Sequence, residues 1–159
     1  MDLQEREFLP VILGADFTAY SLARSFHEEY KIKSLVLSMK ECQYIANSDI
    51  IENRVFPGLE NKDTLIETLI SVGKEFKGKK KLIVLGCGDW YVRILIENKP
   101  VLSEYYVIPY IDEELLNKIV LKDKFYEICE ELGIDYPDTY VYNCGEENAM
   151  DFDYEYPII

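Results

Sequence analysis

Two short apolar runs, each closed by glycine, constrain this chain more than any other feature: Phe8-Leu9-Pro10-Val11-Ile12-Leu13-Gly14 and Leu82-Ile83-Val84-Leu85-Gly86. Neither alternates between apolar and polar positions. A strand with no polar face has no side to present to water, so both runs belong inside a sheet covered on both faces. Pro10 has no N–H and is expected near the start of its strand, where the ladder can spare a donor. The segments between carry helical periodicity. Residues 17–30 hold Tyr20, Ala23, Phe26 (or His27) and Tyr30 at helical spacing, and Leu65, Leu69, Val72 and Phe76 form a second stripe behind Asn61 or Asp63 as cap. Residues 33–38 read as a second strand. Ile50-Ile51 and Val55-Phe56 bracket a weaker third, ended by Pro57-Gly58. Residues 90–98 read as a helix and 105–109 as a fifth strand. Asp112 then caps a helix through Leu115, Leu116 and Ile119, and a last helix begins near Lys122 with Phe125, Ile128, Cys129 and Leu132 facing inward.

Strands separated by helices of this length form right-handed βαβ units. The expected fold is therefore α/β, a Rossmann-like, mostly parallel sheet flanked by helices, occupying residues 1–133. Residues 134–159 read as the beginning of a different, incomplete unit, with strands at 139–142 and 156–159 around an acidic loop at 143–153. The closing run Tyr154-Glu155-Tyr156-Pro157-Ile158-Ile159 is apolar, β-type and followed by no turn or polar tail. Such a strand leaves backbone N–H and C=O groups unpaired. The expectation is the front part of a longer protein, whose segment after Pro137 is mobile or exchanged between two copies of a homodimer.

Charge narrows the partners. Thirty Asp and Glu against 17 Lys and Arg give a net charge of −13, which repels phosphates and argues against nucleic acid or an anionic membrane. An apolar content of 48% with 13 Tyr excludes a disordered chain. Cys42, Cys87, Cys129 and Cys144 contain no CxxC pair, so free thiols in a reducing compartment are expected in place of disulfides or a zinc site. Polar residues follow Met1, with no signal-peptide core and no apolar run of the ~18 residues that a membrane helix needs. A cytoplasmic location is expected.

Two strand-end loops carry the candidate chemistry: Gly14-Ala15-Asp16 and Gly86-Cys87-Gly88-Asp89. In an open α/β sheet ligands collect beyond the carboxyl ends of the strands. Glycine there lets backbone N–H groups approach a ligand, and Asp16 and Asp89 also suit helix N-caps. Neither loop is a GxGxxG, and no GxxxxGK[ST] occurs, so dinucleotide binding of the dehydrogenase type gains little support. His27 is the single histidine, which with no second His or nearby Cys makes no metal site. Arg24 and Arg93 are expected to pair with carboxylates, Lys77-Gly78-Lys79-Lys80-Lys81 to form a solvated turn, and Tyr105, Tyr106, Tyr110 and Tyr126 to pack in the core and at its rim.

From Lys122 onward the chain resembles the junction of ATP-grasp enzymes, in which a segment of the type Asp-Lys, then a helix, runs into Gly-Ile-Pro-x-Pro-x-Thr, with Asp135 here in place of the first proline. Here it reads Lys122-Asp123-Lys124-Phe125 through Gly133-Ile134-Asp135-Tyr136-Pro137-Asp138-Thr139, and Tyr156-Pro157-Ile158-Ile159 is similar to the opening of a later ATP-binding strand. With Phe8 to Asp16, Ala23-Arg24-Ser25-Phe26, Gly86 to Asp89 and Pro109-Tyr110-Ile111-Asp112, the likeness extends to carboxylate–amine ligases of the D-aspartate ligase type. The resemblance implies a pre-ATP-grasp domain that forms one wall of a substrate cleft, with Gly14, Asp16, Gly86, Gly88 and Asp89 lining it. It implies ATP and Mg²⁺ as cofactors, with Lys122, or else Lys124, reaching the ATP phosphates. The substrates implied are a small-molecule carboxylate, activated as an acyl phosphate, and an amine, which in D-aspartate ligases is a lysine side chain of a peptidoglycan precursor. A second ATP-binding lysine, an adenine hinge and metal-binding acidic residues lie further along in that family, so this stretch alone is expected to be inactive, with feeble ATP affinity. A stand-alone Rossmann-like module binding a nucleotide or metabolite without catalysis is the alternative.

Overall fold

The computed structural model describes residues 8–140 and Gly145. They fall into two compact units divided between Asp112 and Glu113. The first is built as β1 (Phe8–Leu13), α1 (Phe17–Tyr30), β2 (Ser34–Ser38), β3 (Ile51–Val55), α2 (Lys62–Phe76), β4 (Lys81–Gly86), α3 (Asp89–Glu97), α4 (Lys99–Leu102) and β5 (Tyr106–Val107). All four strand pairings are parallel and the order is β3-β2-β1-β4-β5. This is the Rossmann-like α/β sheet expected from the sequence, and every described strand of it is parallel.

The two apolar runs lie side by side at the centre, Phe8 to Leu13 of β1 in register with Lys81 to Gly86 of β4. Pro10 sits third in a strand that is paired on both sides. Its missing donor is tolerated because of where it points. Gly14 N–H reaches Leu37 O on β2 (3.2 Å), so by the two-residue alternation of a strand Ile12 and Pro10 also turn their backbone groups toward β2. The β2 register begins only at Val11↔Leu35, and Pro10 faces the ladder before it starts.

Leu9, Val11, Leu13, Leu35, Leu37, Leu82 and Val84 pack with Leu65, Leu69 and Val72 of α2, Ile94 and Leu95 of α3 and Leu102 of α4 on one face. Ile12, Val36 and Ile51 meet Ala19 and Ala23 of α1 on the other. Asn61 caps α2 by accepting from Asp63 N–H (2.9 Å) and Thr64 N–H (3.2 Å). The buried stripe of α1 runs through Ala19 and Ala23; Tyr20 and Tyr30 are exposed, and the Tyr30 ring meets Phe8 edge-on. Small residues let the helix lie close to the sheet, which leaves the larger rings at its margins. Tyr106 is buried and donates to Leu69 O (2.7 Å).

Ser34, at the start of β2, is fully buried, and its hydroxyl finds no hydrogen-bond partner among the described residues. A desolvated hydroxyl left unpaired costs about 1–3 kcal/mol. Ser34→Ala is therefore expected to stabilise the chain by about 1 kcal/mol, measured by urea denaturation with an unchanged m-value.

The second unit holds α5 (Glu113–Ile119) packed on α6 (Lys122–Leu132). Helix α6 ends at Gly133, whose N–H reaches Glu130 O (3.1 Å) while Ile134 N–H reaches Cys129 O (2.8 Å), the paired closure of a Schellman turn. Of the inward face expected for α6, Cys129 is buried, whereas Phe125 and Leu132 are 45% and 68% exposed. An amphipathic stripe shows which side a helix would bury, but burial needs a partner surface. Thr139 and Tyr140 are not in a strand; the remainder of the expected strand at 139–142, the strand at 156–159 and most of the loop between lie outside the described residues. No helix among the described residues is long and apolar enough to cross a membrane.

Candidate functional site

The strand order makes the site. From β1 the chain moves outward to β2 and β3, then returns to β4 on the other side of β1. Helix α1 leaves β1 toward one face and α3 leaves β4 toward the other. The loops diverge at the carboxyl ends of β1 and β4, the switch point where open α/β sheets bind ligands. Those two loops are Gly14 to Asp16 and Gly86 to Asp89.

They are joined directly. Cys87 N–H donates to Leu13 O (2.8 Å). Gly14 has φ +128°, which side-chain-bearing residues rarely adopt, and a Cβ placed on it would stand 3.0 Å from Cys87 Cβ. Gly86 is closed in as well, since a Cβ there would come within 2.7 Å of Tyr91 Cβ. On its other side Gly86 N–H donates to the phenol oxygen of Tyr110 (3.0 Å).

Asp16 is the N-cap of α1, its Oδ1 accepting from Thr18 N–H (2.9 Å) and Ala19 N–H (3.1 Å). Asp89 does not cap α3. Gly88, at φ +135°, holds the cap position, no side chain accepts there, and Asp89 is the first helical residue. The turn out of β4 needs a positive φ at the cap, which only glycine adopts freely. The Asp89 carboxylate instead stands in the first turn, where the helix dipole favours it.

Burial, then the nearby Asp16 charge, push the Cys87 thiol up to about 11. It is held protonated at neutral pH and is not a poised nucleophile. Burial also raises Tyr91, helped by the charges of Glu60, Cys87 and Asp16. Burial raises Tyr110 too, opposed by the Gly86 N–H and reinforced by Cys87. The two loops thus bring together phenols, a thiol, backbone amides and carboxylates at one end of the sheet.

Lys122 and Lys124 belong to the second unit, on the first turn of α6. Lys122 is exposed and forms no ion pair with a described residue; Lys124 Nζ is bound to Glu127 Oε1 (2.7 Å), which raises its pKa. Other charges are engaged structurally. Arg24 pairs with Glu28 (2.7 Å), Arg93 with Glu97 (3.9 Å), and Lys77 with Glu104 (2.6 Å) while lying over the Tyr105 ring. His27 Nδ1 sits 3.1 Å from Ile32 O. Cys42, Cys87 and Cys129 are free thiols, and Cys144 lies outside the described residues.

Tyr91 and the phenol of Tyr110 stand against the Gly86 loop, and sequence reasoning did not select them. For Tyr110 a signal existed: Pro109 cannot extend a ladder, so whatever follows it is free to turn back toward the end of β4.

Over 141 residues the chain is 36% identical to the D-aspartate ligase of Enterococcus faecium (strain Aus0004), a match covering 87% of this chain and 34% of that ligase. The chain is similar to one third of a D-aspartate ligase. That similarity supports kinship with the ligase family, and a stretch so long within 159 residues must include both the Gly86 to Asp89 loop and Lys122 to Lys124. The chain spans about a third of the ligase's length. Neither a protein-family model nor a solved structure gives a significant match.

Among the described residues no group of three His, Cys, Asp or Glu side chains is placed to hold a metal ion.

Proposed function

We propose that this chain is the N-terminal, substrate-side part of an ATP-dependent carboxylate–amine ligase that takes D-aspartate as the activated acid. The observation that carries the reading is the 36% identity to a D-aspartate ligase through 87% of the chain, combined with two glycine-containing loops at the sheet's switch point. In this reaction the substrate carboxylate takes the γ-phosphoryl group of ATP, giving an acyl phosphate and ADP. An amine, here a lysine side chain of a peptidoglycan precursor, then attacks the acyl carbon, expels phosphate and forms the amide. The role assigned to the Gly14 to Asp16 and Gly86 to Asp89 loops is to hold the small-molecule substrate, and to Lys122 to meet ATP phosphates.

The chain by itself is expected to bind substrate weakly and to catalyse nothing. Titrating the ¹⁵N-labelled chain with D-aspartate to ~10 mM, enough to fill even a millimolar site, should shift the amides of Gly14, Gly86 and Gly88 saturably. L-aspartate should shift them less. Amides at the switch point that ignore D-aspartate would sink the substrate-side reading, and submicromolar ATP affinity by calorimetry would sink the expectation that this stretch alone binds ATP feebly.

A further inference from the structure

We infer that Tyr110 is a positioning residue for the substrate wall: its phenol replaces the missing end of β5 and holds the Gly86 to Asp89 loop in place. The latch is a property of this sheet; its part in substrate binding rests on the ligase reading above.

The reasoning starts from which way β4 turns its backbone. Cys87 N–H points to β1, where Leu13 O accepts it. Neighbouring residues of a strand alternate sides, so Gly86 presents its N–H to the opposite side, toward β5. But β5 is only Tyr106–Val107, in register with Leu82 and Ile83. No β5 residue is paired with Gly86. Beyond Val107 the chain has left the ladder, so no β5 carbonyl lies in register to accept the Gly86 N–H. An N–H abandoned there would be an orphan at the carboxyl end of the sheet.

Tyr110 fills that place with a side chain. Its phenol oxygen accepts from Gly86 N–H at 3.0 Å, and its own carbonyl is held by Lys99 Nζ at 2.7 Å. The tie therefore runs from Lys99 at the start of α4, through Tyr110, to the last residue of β4. Gly86 cannot drift the other way, because Tyr91 already occupies the space that even a methyl group would need. The loop is thus pinned by Leu13 on one side and Tyr110 on the other. Three of the candidate substrate contacts, Gly86, Gly88 and Asp89, follow directly from where that pin is set.

Tyr110→Phe keeps the ring and removes only the acceptor. In the intact chain it should lower the melting temperature by a few degrees and speed amide exchange at Gly86 about tenfold, with Leu85 and Cys87, which face β1, unaffected. D-aspartate should then bind several-fold more weakly. Lys99→Met, which frees the backbone of Tyr110, should move the Gly86 amide in the same direction by less, and it serves in place of Y110F should that variant fail to fold. Unchanged Gly86 exchange in both variants overturns the latch. Faster exchange with undiminished D-aspartate affinity overturns the positioning role. A wild-type chain that binds no D-aspartate would bring down the ligase reading and the substrate role with it, and the Gly86 exchange would still decide the latch.

Discussion

Gly14→Ala should cost this chain about 3 kcal/mol and deform its candidate site at the same time. Two penalties coincide. At φ +128° a residue with a Cβ pays of order 1–3 kcal/mol in backbone strain. The new methyl would also stand 3.0 Å from Cys87 Cβ, an atom tied to its own backbone and unable to swing aside. Either β1's exit must turn or the Cys87 loop must retreat, and Cys87 is held by its bond to Leu13 O. The measurement is urea denaturation alongside amide shifts. The expected result is a midpoint lowered without a change in m, and shifts concentrated at residues 86–88. A variant as stable as wild type would show that the positive φ at Gly14 is not required.

Gly73→Ala reverses the usual sign of its substitution. In an open helix, alanine for glycine stabilises by up to ~1 kcal/mol. Gly73 lies in α2 against Tyr105, and a Cβ there would fall 2.5 Å from Tyr105 Cβ and 2.6 Å from its Cγ. Those atoms sit at the root of the side chain, so no rotamer change relieves the contact; α2 or the approach to β5 must move. A net loss of about 2 kcal/mol is expected, typical of an overfilled core less the helix gain. Placing G73A on a Tyr105→Gly background should remove most of the penalty, since only glycine takes away the Cβ that stands 2.5 Å from the new methyl. Additive losses in that double-mutant cycle would show that the two residues do not collide.

The site was legible in halves. Asp16 reads as a cap from local sequence, and it caps. Asp89 looks equivalent, yet Gly88 takes the cap because the chain leaves β4 at a positive φ, a fact of the turn and not of the residue types. Tyr110 reads as one more ring in a tyrosine-rich stretch; its value arises only because β5 stops short and leaves Gly86 without a partner. Phe125 and Leu132 mark an apolar side of α6 that stays exposed, because periodicity states a helix's preference and says nothing of what covers it.

What the amino-acid order determined by itself was local: unbroken apolar runs demand strands buried on both faces, helical stripes separate them, and a parallel sheet follows. These depend on periods of two and 3.6 residues and on steric rules that act within a few positions. Only the tertiary structure decided that β4 lies beside β1, which brings Gly14 against Cys87 and sets side by side two loops remote in sequence. Strand order is settled by which faces pack together once the whole sheet has formed, and no local pattern encodes it.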